Sequence, residues 1–381
     1  MSTLSGPSTF SGPMDFTTRH PLTPITPVLG IDGGGTRGII PAKVLEEIEK
    51  KVGRGVSEIF SVICGSSTGG LIAAAASIPK SSLDRTPKFS AEDIVNIFKD
   101  KASIIFPKSW AKDVKGLIEP KYSREGFDEV VRAYAGETRM KDALTKLAIT
   151  SYELTSNKAC IFQNDKILFP KSAFIDKRPH YHPHASAVIG GEAANLLIYD
   201  VLSAATAAPT YFPPKQLTLN NQEYEFIDGG LSTPNPTLWG HVIAQQLGSD
   251  SKNQIICSLG TGTTDMRIPL NSAEDWGSLE WSSRVLSCSF YGVVTTVDAQ
   301  MELLFPNIGE DQNYFRFQTV IDPEYDSLDN SSEVNMVYLE NKADEMIKAQ
   351  IDEFDVLCEK LSLAVDHKIE IQNNEPLGVN Q

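Results

Sequence analysis

Two periodicities divide the chain. Val28-Leu29-Gly30-Ile31-Asp32 is a short apolar run of strand length, and it enters Gly33-Gly34-Gly35-Thr36-Arg37-Gly38. Beyond the glycines, Ile40, Val44, Ile48 and Val52 recur at every fourth position among Lys43, Glu46, Glu47, Glu49 and Lys50, which predicts an amphipathic helix. A second apolar run, Ile59 to Ile63, leads through Cys64-Gly65-Ser66-Ser67-Thr68-Gly69-Gly70 into the Ala-rich stretch Leu71 to Ala76. The same reading predicts helices at Phe89 to Lys99, Gly126 to Tyr134 and Met140 to Leu144, and strands at Lys146 to Tyr152 and Ala159 to Gln163. Leu196 to Ala208 reads as a helix stopped by Pro209, Glu223 to Ile227 as a strand closed by Asp228-Gly229-Gly230, and Gln254 to Leu259 as a buried strand before Gly260. Further on, Ser282 to Pro306 reads as a helix, Tyr314 to Val320 as a strand, and Glu333 to Leu363 as one long or two shorter helices. Strands that run into glycine-rich loops and then helices belong to an open α/β sheet, whose ligands bind beyond the carboxyl ends of the strands.

Two of these loops suggest chemistry. A serine at the apex of a strand-turn-helix takes a strained backbone that is tolerated only beside residues without side chains. Gly65 and Gly69 flank Ser67 in that way, which makes Ser67 the candidate nucleophile at the amino end of the following helix. The Gly33 to Gly38 loop admits three readings. Gly33, Gly35 and Gly38 match a dinucleotide fingerprint, although no clear ribose-binding acid follows. Asp32 to Thr36 looks like the phosphate loop of actin-like sugar kinases, with Asp32 on magnesium, but that loop turns into a second strand where a helix is expected here. In the third reading the N–H groups face an acyl oxyanion, reinforced by Arg37. Asp228-Gly229 by itself is a turn. Alternate His180, His182 and His184 between prolines lack the other ligands of a metal site, so no metal and no cofactor is expected. Ile104 to Trp110, with Lys112 and Lys115, reads as a surface segment packed on the core, with a lipid-facing lid as the alternative.

Bulk properties narrow the classes. A formal net charge of -15 argues against nucleic acid as a partner. Five widely spaced cysteines predict reduced thiols in a reducing compartment. Residues 1–26, rich in Ser, Thr and Pro, read as a disordered tail rather than a signal peptide, and no apolar run is long enough to span a bilayer. The expected organisation is that tail, one domain over 27–365 with its motif core in 27–265 and a helical elaboration over 271–365, and a flexible 366–381. The expected location is cytoplasmic, with visits to membrane surfaces.

Asp32-Gly33-Gly34-Gly35-Thr36-Arg37-Gly38, Gly65-Ser66-Ser67-Thr68-Gly69-Gly70, the run Ala207-Ala208-Pro209-Thr210-Tyr211-Phe212 and Asp228-Gly229-Gly230 occur in the order and spacing of the patatin-like phospholipase family. The chain resembles that family over about residues 27 to 265. The resemblance implies a three-layer α/β sandwich with a mostly parallel sheet and a Ser-Asp dyad without histidine, Ser67 as nucleophile and Asp228 as base. It implies an oxyanion hole from Gly33, Gly34, Gly35 and Gly38, with Arg37 nearby and Thr68 adding its N–H. The implied activity is hydrolysis of acyl esters of phospholipids, lysophospholipids or galactolipids at a membrane or micelle surface. Some bacterial relatives need a nucleotide or protein activator, and an activator or an oligomer is compatible with the sequence. Three alternatives stay open: a sugar kinase on Asp32 to Thr36, a non-catalytic storage protein on the same fold, and a Ser-His-Asp triad through His241 or His367.

Overall fold

The computed structural model describes residues 24–107, 119–168, 192–265, 267–305 and 312–374. Most of the N-terminal tail with His20, the Trp110, Lys112 and Lys115 segment, the His180 to His184 run and the final residues lie outside these ranges. Among the described residues nine strands form one sheet: β1 (Thr26–Ile31), β2 (Val62–Ser66), β3 (Lys146–Glu153), β4 (Lys158–Gln163), β5 (Ile167–Leu168), β6 (Lys215–Leu219), β7 (Gln222–Asp228), β8 (Gln254–Leu259) and β9 (Tyr314–Phe317). Its main path runs β5-β4-β3-β2-β1-β8-β9, with β7 pairing β3 and β6 pairing β7. The five strands from β3 to β9 on that path are parallel, and the strands added at β3 are antiparallel. The expected parallel sheet is thus its centre, with an antiparallel flank.

Helices cover both faces. On the larger side lie α1 (Ile39–Val52), α2 (Thr68–Ser77), α3 (Ala91–Ile105), α4 (Glu125–Ala135), α5 (Ile198–Ala205), α8 (Glu333–Ala349) and α9 (Ile351–Asn374). The smaller side is covered by α6 (Thr237–Gln246) and α7 (Ser278–Leu304). Alternation along β2 serves both layers, since Ile63 joins the larger core while Val62 and Cys64 join the smaller. The four-residue repeat of α1 buries Ile40, Val44 and Ile48, and the helix stops at Gly53, whose φ of 72° closes a bond from its N–H to the Glu49 carbonyl. α3 begins at a capping box in which Ser90 accepts the Asp93 N–H and the Asp93 carboxylate accepts the Ser90 N–H.

Departures from the expected elements have local causes. Ile59 closes a short helical turn, Val56–Ile59, and β2 begins only at Val62, although Ile59 and Phe60 are as buried as strand residues. Met140–Asp142 is a single turn rather than a helix. α5 ends at Ala205, whose carbonyl would need the N–H that Pro209 lacks, and the Thr206 N–H and hydroxyl both close on the Leu202 carbonyl, at 3.0 and 2.7 Å. β6 was not expected from the pattern, yet it pairs with β7 through Asn220 and Asn221, both in the left-handed region. β9 stops at Phe317, and the C-terminal helical stretch is two helices that break at Gln350. α9 continues past residue 365 to Asn374. Of the five cysteines four are buried and Cys288 is exposed, and none is in a disulfide.

Candidate active site

The register of β3 brings the site together. β2 pairs in parallel with Lys146 to Thr150 and ends at Ser66, opposite Thr150. β7 takes up the same edge beyond that point, antiparallel, pairing Phe226, Ile227 and Asp228 with Glu153, Tyr152 and Ser151. Two strands that run towards each other along one edge must meet at their carboxyl ends. Ser67 follows the end of one and Asp228 closes the other, so groups 161 positions apart face each other, and the Ser67 hydroxyl donates to Asp228 Oδ2 at 2.6 Å.

The backbone at this junction is crowded. Ser67 has φ 51° and ψ -121°, a strained conformation for a residue with a side chain. A Cβ on Gly65 would stand 2.2 Å from the Gly69 carbonyl oxygen, and one on Gly69 would stand 2.2 Å from that of Ile31. The two glycines are therefore steric requirements of the turn. On the other side, the Gly230 N–H donates to Asp228 Oδ1 at 2.7 Å, and the Asp228 N–H is held by the Ala207 carbonyl at 3.0 Å. The Ala-Ala-Pro run thereby fixes the aspartate backbone. Burial pushes the Asp228 carboxyl up to about 6, against the opposing pull of the Ser67 hydroxyl and the Gly230 N–H.

The glycine loop lies beside Ser67, and its residues play unequal parts. The Gly33 N–H is engaged with the Pro234 carbonyl at 3.0 Å, so it is not available to an oxyanion, and the Gly33 carbonyl accepts from Thr261 Oγ1 at 2.8 Å. The N–H groups of Gly34, Gly35 and Thr68 carry no hydrogen bond among the described residues, and all three residues line the same cavity as Ser67 and Asp228. Gly38 does not line it. Gly38 permits close packing instead, since a Cβ there would stand 2.4 Å from Thr68 Oγ1. Arg37 lines the cavity as well, and its buried guanidinium is paired with Asp326, which lines it too. The cavity, about 390 Å³, is walled mainly by apolar side chains such as Leu71, Ile72, Phe98, Phe127 and Phe212. That volume is in the range of small-molecule sites.

Two alternative readings lose their residues here. Asp32 is buried and receives two bonds from Arg316, at 2.6 and 3.1 Å, and α1 follows the loop directly, so the magnesium ligand and the second strand of a kinase phosphate loop are both missing. Burial pushes the Asp32 carboxyl up and the Arg316 guanidinium opposes that shift. His241 is buried in α6, with Nδ1 2.8 Å from Gln254 Oε1 at the amino end of β8, the opposite end of the sheet from Ser67. His367 sits in α9. Neither stands between Ser67 and Asp228, which touch directly. No metal-binding cluster occurs among the described residues.

The family model for patatin-like phospholipases matches residues 29–238, more than half of the chain, with the glycine loop, Ser67 and Asp228 all inside the match. The chain belongs to the patatin-like phospholipase family. Two potato (Solanum tuberosum) proteins are similar to it over most of their length. One is "Probable inactive patatin-3-Kuras 1", 29% identical over 353 residues, covering 86% of this chain and 87% of that protein. The other is "Patatin group A-2", 29% identical over 352 residues, covering 85% and 84%. Among solved structures, VipD from Legionella pneumophila aligns over 85% of this chain and 67% of its own, with 11% identity and a TM-score of 0.33. Membership in a patatin-like family supports lipid acyl hydrolysis. Asp326, Arg316, Pro234 and Thr261 bear on the site without having been singled out as site residues, and of these only Thr261, in the glycine-bounded loop after β8, stood in a local pattern that could have marked it.

Proposed function

We propose that this protein is a lipid acyl hydrolase that cleaves carboxylic esters of phospholipids, lysophospholipids or galactolipids through an acyl-serine intermediate. The carrying observation is the 2.6 Å bond from the Ser67 hydroxyl to a buried carboxylate, beside an apolar cavity. Ser67 Oγ attacks the ester carbonyl carbon while its proton passes to Asp228 Oδ2, and the carbonyl oxygen becomes an oxyanion facing the N–H groups of Gly34, Gly35 and Thr68. Collapse breaks the bond to the alcohol, which leaves with the proton from Asp228. A water then repeats the sequence on the acyl-enzyme, releases the fatty acid and restores Ser67. An aspartate at its ordinary pKa is a weak base for a hydroxyl, and burial that lifts Asp228 to about 6 brings it nearer the working range. The apolar walls accept an acyl chain and keep water off the hydroxyl–carboxylate pair.

Fatty acid release from a panel of phospholipid, lysophospholipid and galactolipid vesicles tests the reading. Ser67→Ala and Asp228→Asn are each expected to lower turnover by about three orders of magnitude or more, as loss of a nucleophile or base in other hydrolases does. Release equal to that of the unaltered protein would remove the proposed chemistry. A fluorophosphonate probe that leaves Ser67 unlabelled would favour a storage or binding role on the same fold.

A further inference from the structure

The segment from Asp326 to Asp329 lies beyond the stretch matched by the family model and closes over the glycine loop. The Leu328 carbonyl accepts the Thr36 N–H at 2.8 Å. A Cβ on Gly35, whose φ is 58°, would stand 2.1 Å from that same oxygen. Asp326 pairs with the buried Arg37 and accepts from Thr264 Oγ1 at 3.4 Å. At the far end of the segment, Asp329 accepts from Lys121 Nζ at 2.7 Å and from the Tyr122 hydroxyl at 2.8 Å. Arg316 on β9 meanwhile holds Asp32, the residue before the first glycine. Late parts of the chain thus grip the loop on both sides of its three glycines.

Three successive glycines have little conformational preference of their own, and N–H donors stabilise an oxyanion only if they are aimed before the reaction begins. We infer that Asp326 is a positioning residue for catalysis: through Arg37, and with the Leu328 carbonyl on Thr36, it holds the N–H groups of Gly34 and Gly35 where the oxyanion develops. Arg37 is then a strut for the loop at the cavity wall, its charge answered by Asp326. This inference rests on the acyl-hydrolase reading of Ser67.

Asp326→Asn in the full chain removes the charge and keeps the shape. Hydrogen-deuterium exchange of peptides covering residues 32–40 should speed up by about fivefold or more at the Thr36 and Arg37 amides, with the unfolding midpoint little changed. On the same vesicles kcat should fall by about 10- to 100-fold with KM within about twofold, because misaimed donors weaken the transition state more than substrate binding. Asp326→Glu should recover much of both, and it carries the test if the Asn variant does not fold. Wild-type exchange in the loop, or wild-type kcat, would overturn the positioning role while leaving the acyl-hydrolase reading intact. An unaltered protein that releases no fatty acid and is not labelled at Ser67 would overturn the acyl-hydrolase reading and the positioning role with it.

Discussion

Asp228 is held in a state that disfavours its own charge. With its carboxyl lifted from 3.8 to about 6, the folded protein binds a proton more readily than the unfolded chain between about pH 4 and 6. Stability attributable to this residue therefore falls as pH rises through that window, by about 1–3 kcal/mol at 1.36 kcal/mol per pKa unit, and stays lost above it. Under the proposed mechanism activity has the opposite sign, since there only the carboxylate takes the Ser67 proton. Hydrolysis is expected to decline below an apparent pKa near 6, read from the pH dependence of kcat/KM. Asp228→Asn should raise the free energy of unfolding by about 1–3 kcal/mol at pH 8 and have no such effect at pH 4, measured by urea titration at both values. A variant that is equally stable to wild type at both pH values would show that burial does not strain this carboxylate. Ser67 could be singled out in the chain because its signature is local: a strand, glycines two residues to either side, then a small-residue helix. The part of Asp228 is not local, since Asp-Gly reads as a turn until β7 is known to end against β2.

The turn around Ser67 is an element whose sequence leaves almost no freedom. Gly65→Ala and Gly69→Ala would each place a Cβ 2.2 Å from a backbone oxygen, and neither carbonyl can retreat without disturbing β1 or α2. Each substitution is expected to cost at least about 3 kcal/mol of stability or to prevent folding, read from the denaturant midpoint. Gly53→Ala is a useful contrast: φ is 72° there but nothing lies within 4 Å, so a cost of about 1 kcal/mol from the left-handed backbone is expected. Long elements with one clean period, such as α1 and β8, were legible within a residue. Short ones are ambiguous in the sequence, as at Ile59 and Phe60, which end a helical turn but are as buried as strand residues. β6 is faint in the sequence because only Leu217 and Leu219 of its five residues are buried, although Asn220-Asn221 is itself a hairpin signal.

The molecule carries a formal net charge of -15, and no described helix is long and apolar enough to cross a membrane. A substrate presented on a lipid surface must be approached against or without that field. Hydrolysis of zwitterionic vesicles is expected to exceed that of anionic vesicles at low ionic strength, and the gap should close towards 0.15 M salt, where the Debye length is about 8 Å. Faster turnover on anionic vesicles at low salt would point to a local basic docking patch that outweighs the net charge. Period, glycine placement and residue type were enough to establish the α/β layering, the turn at Ser67 and the loop beside it, because these depend on neighbours a few residues away. Three features needed the folded chain: the end-to-end meeting of β2 and β7, the engagement of the Gly33 N–H by Pro234, and the grip of Asp326 and Arg316 on the glycine loop. Each joins residues that no periodicity relates, since strand order and register are settled by packing across the whole sheet.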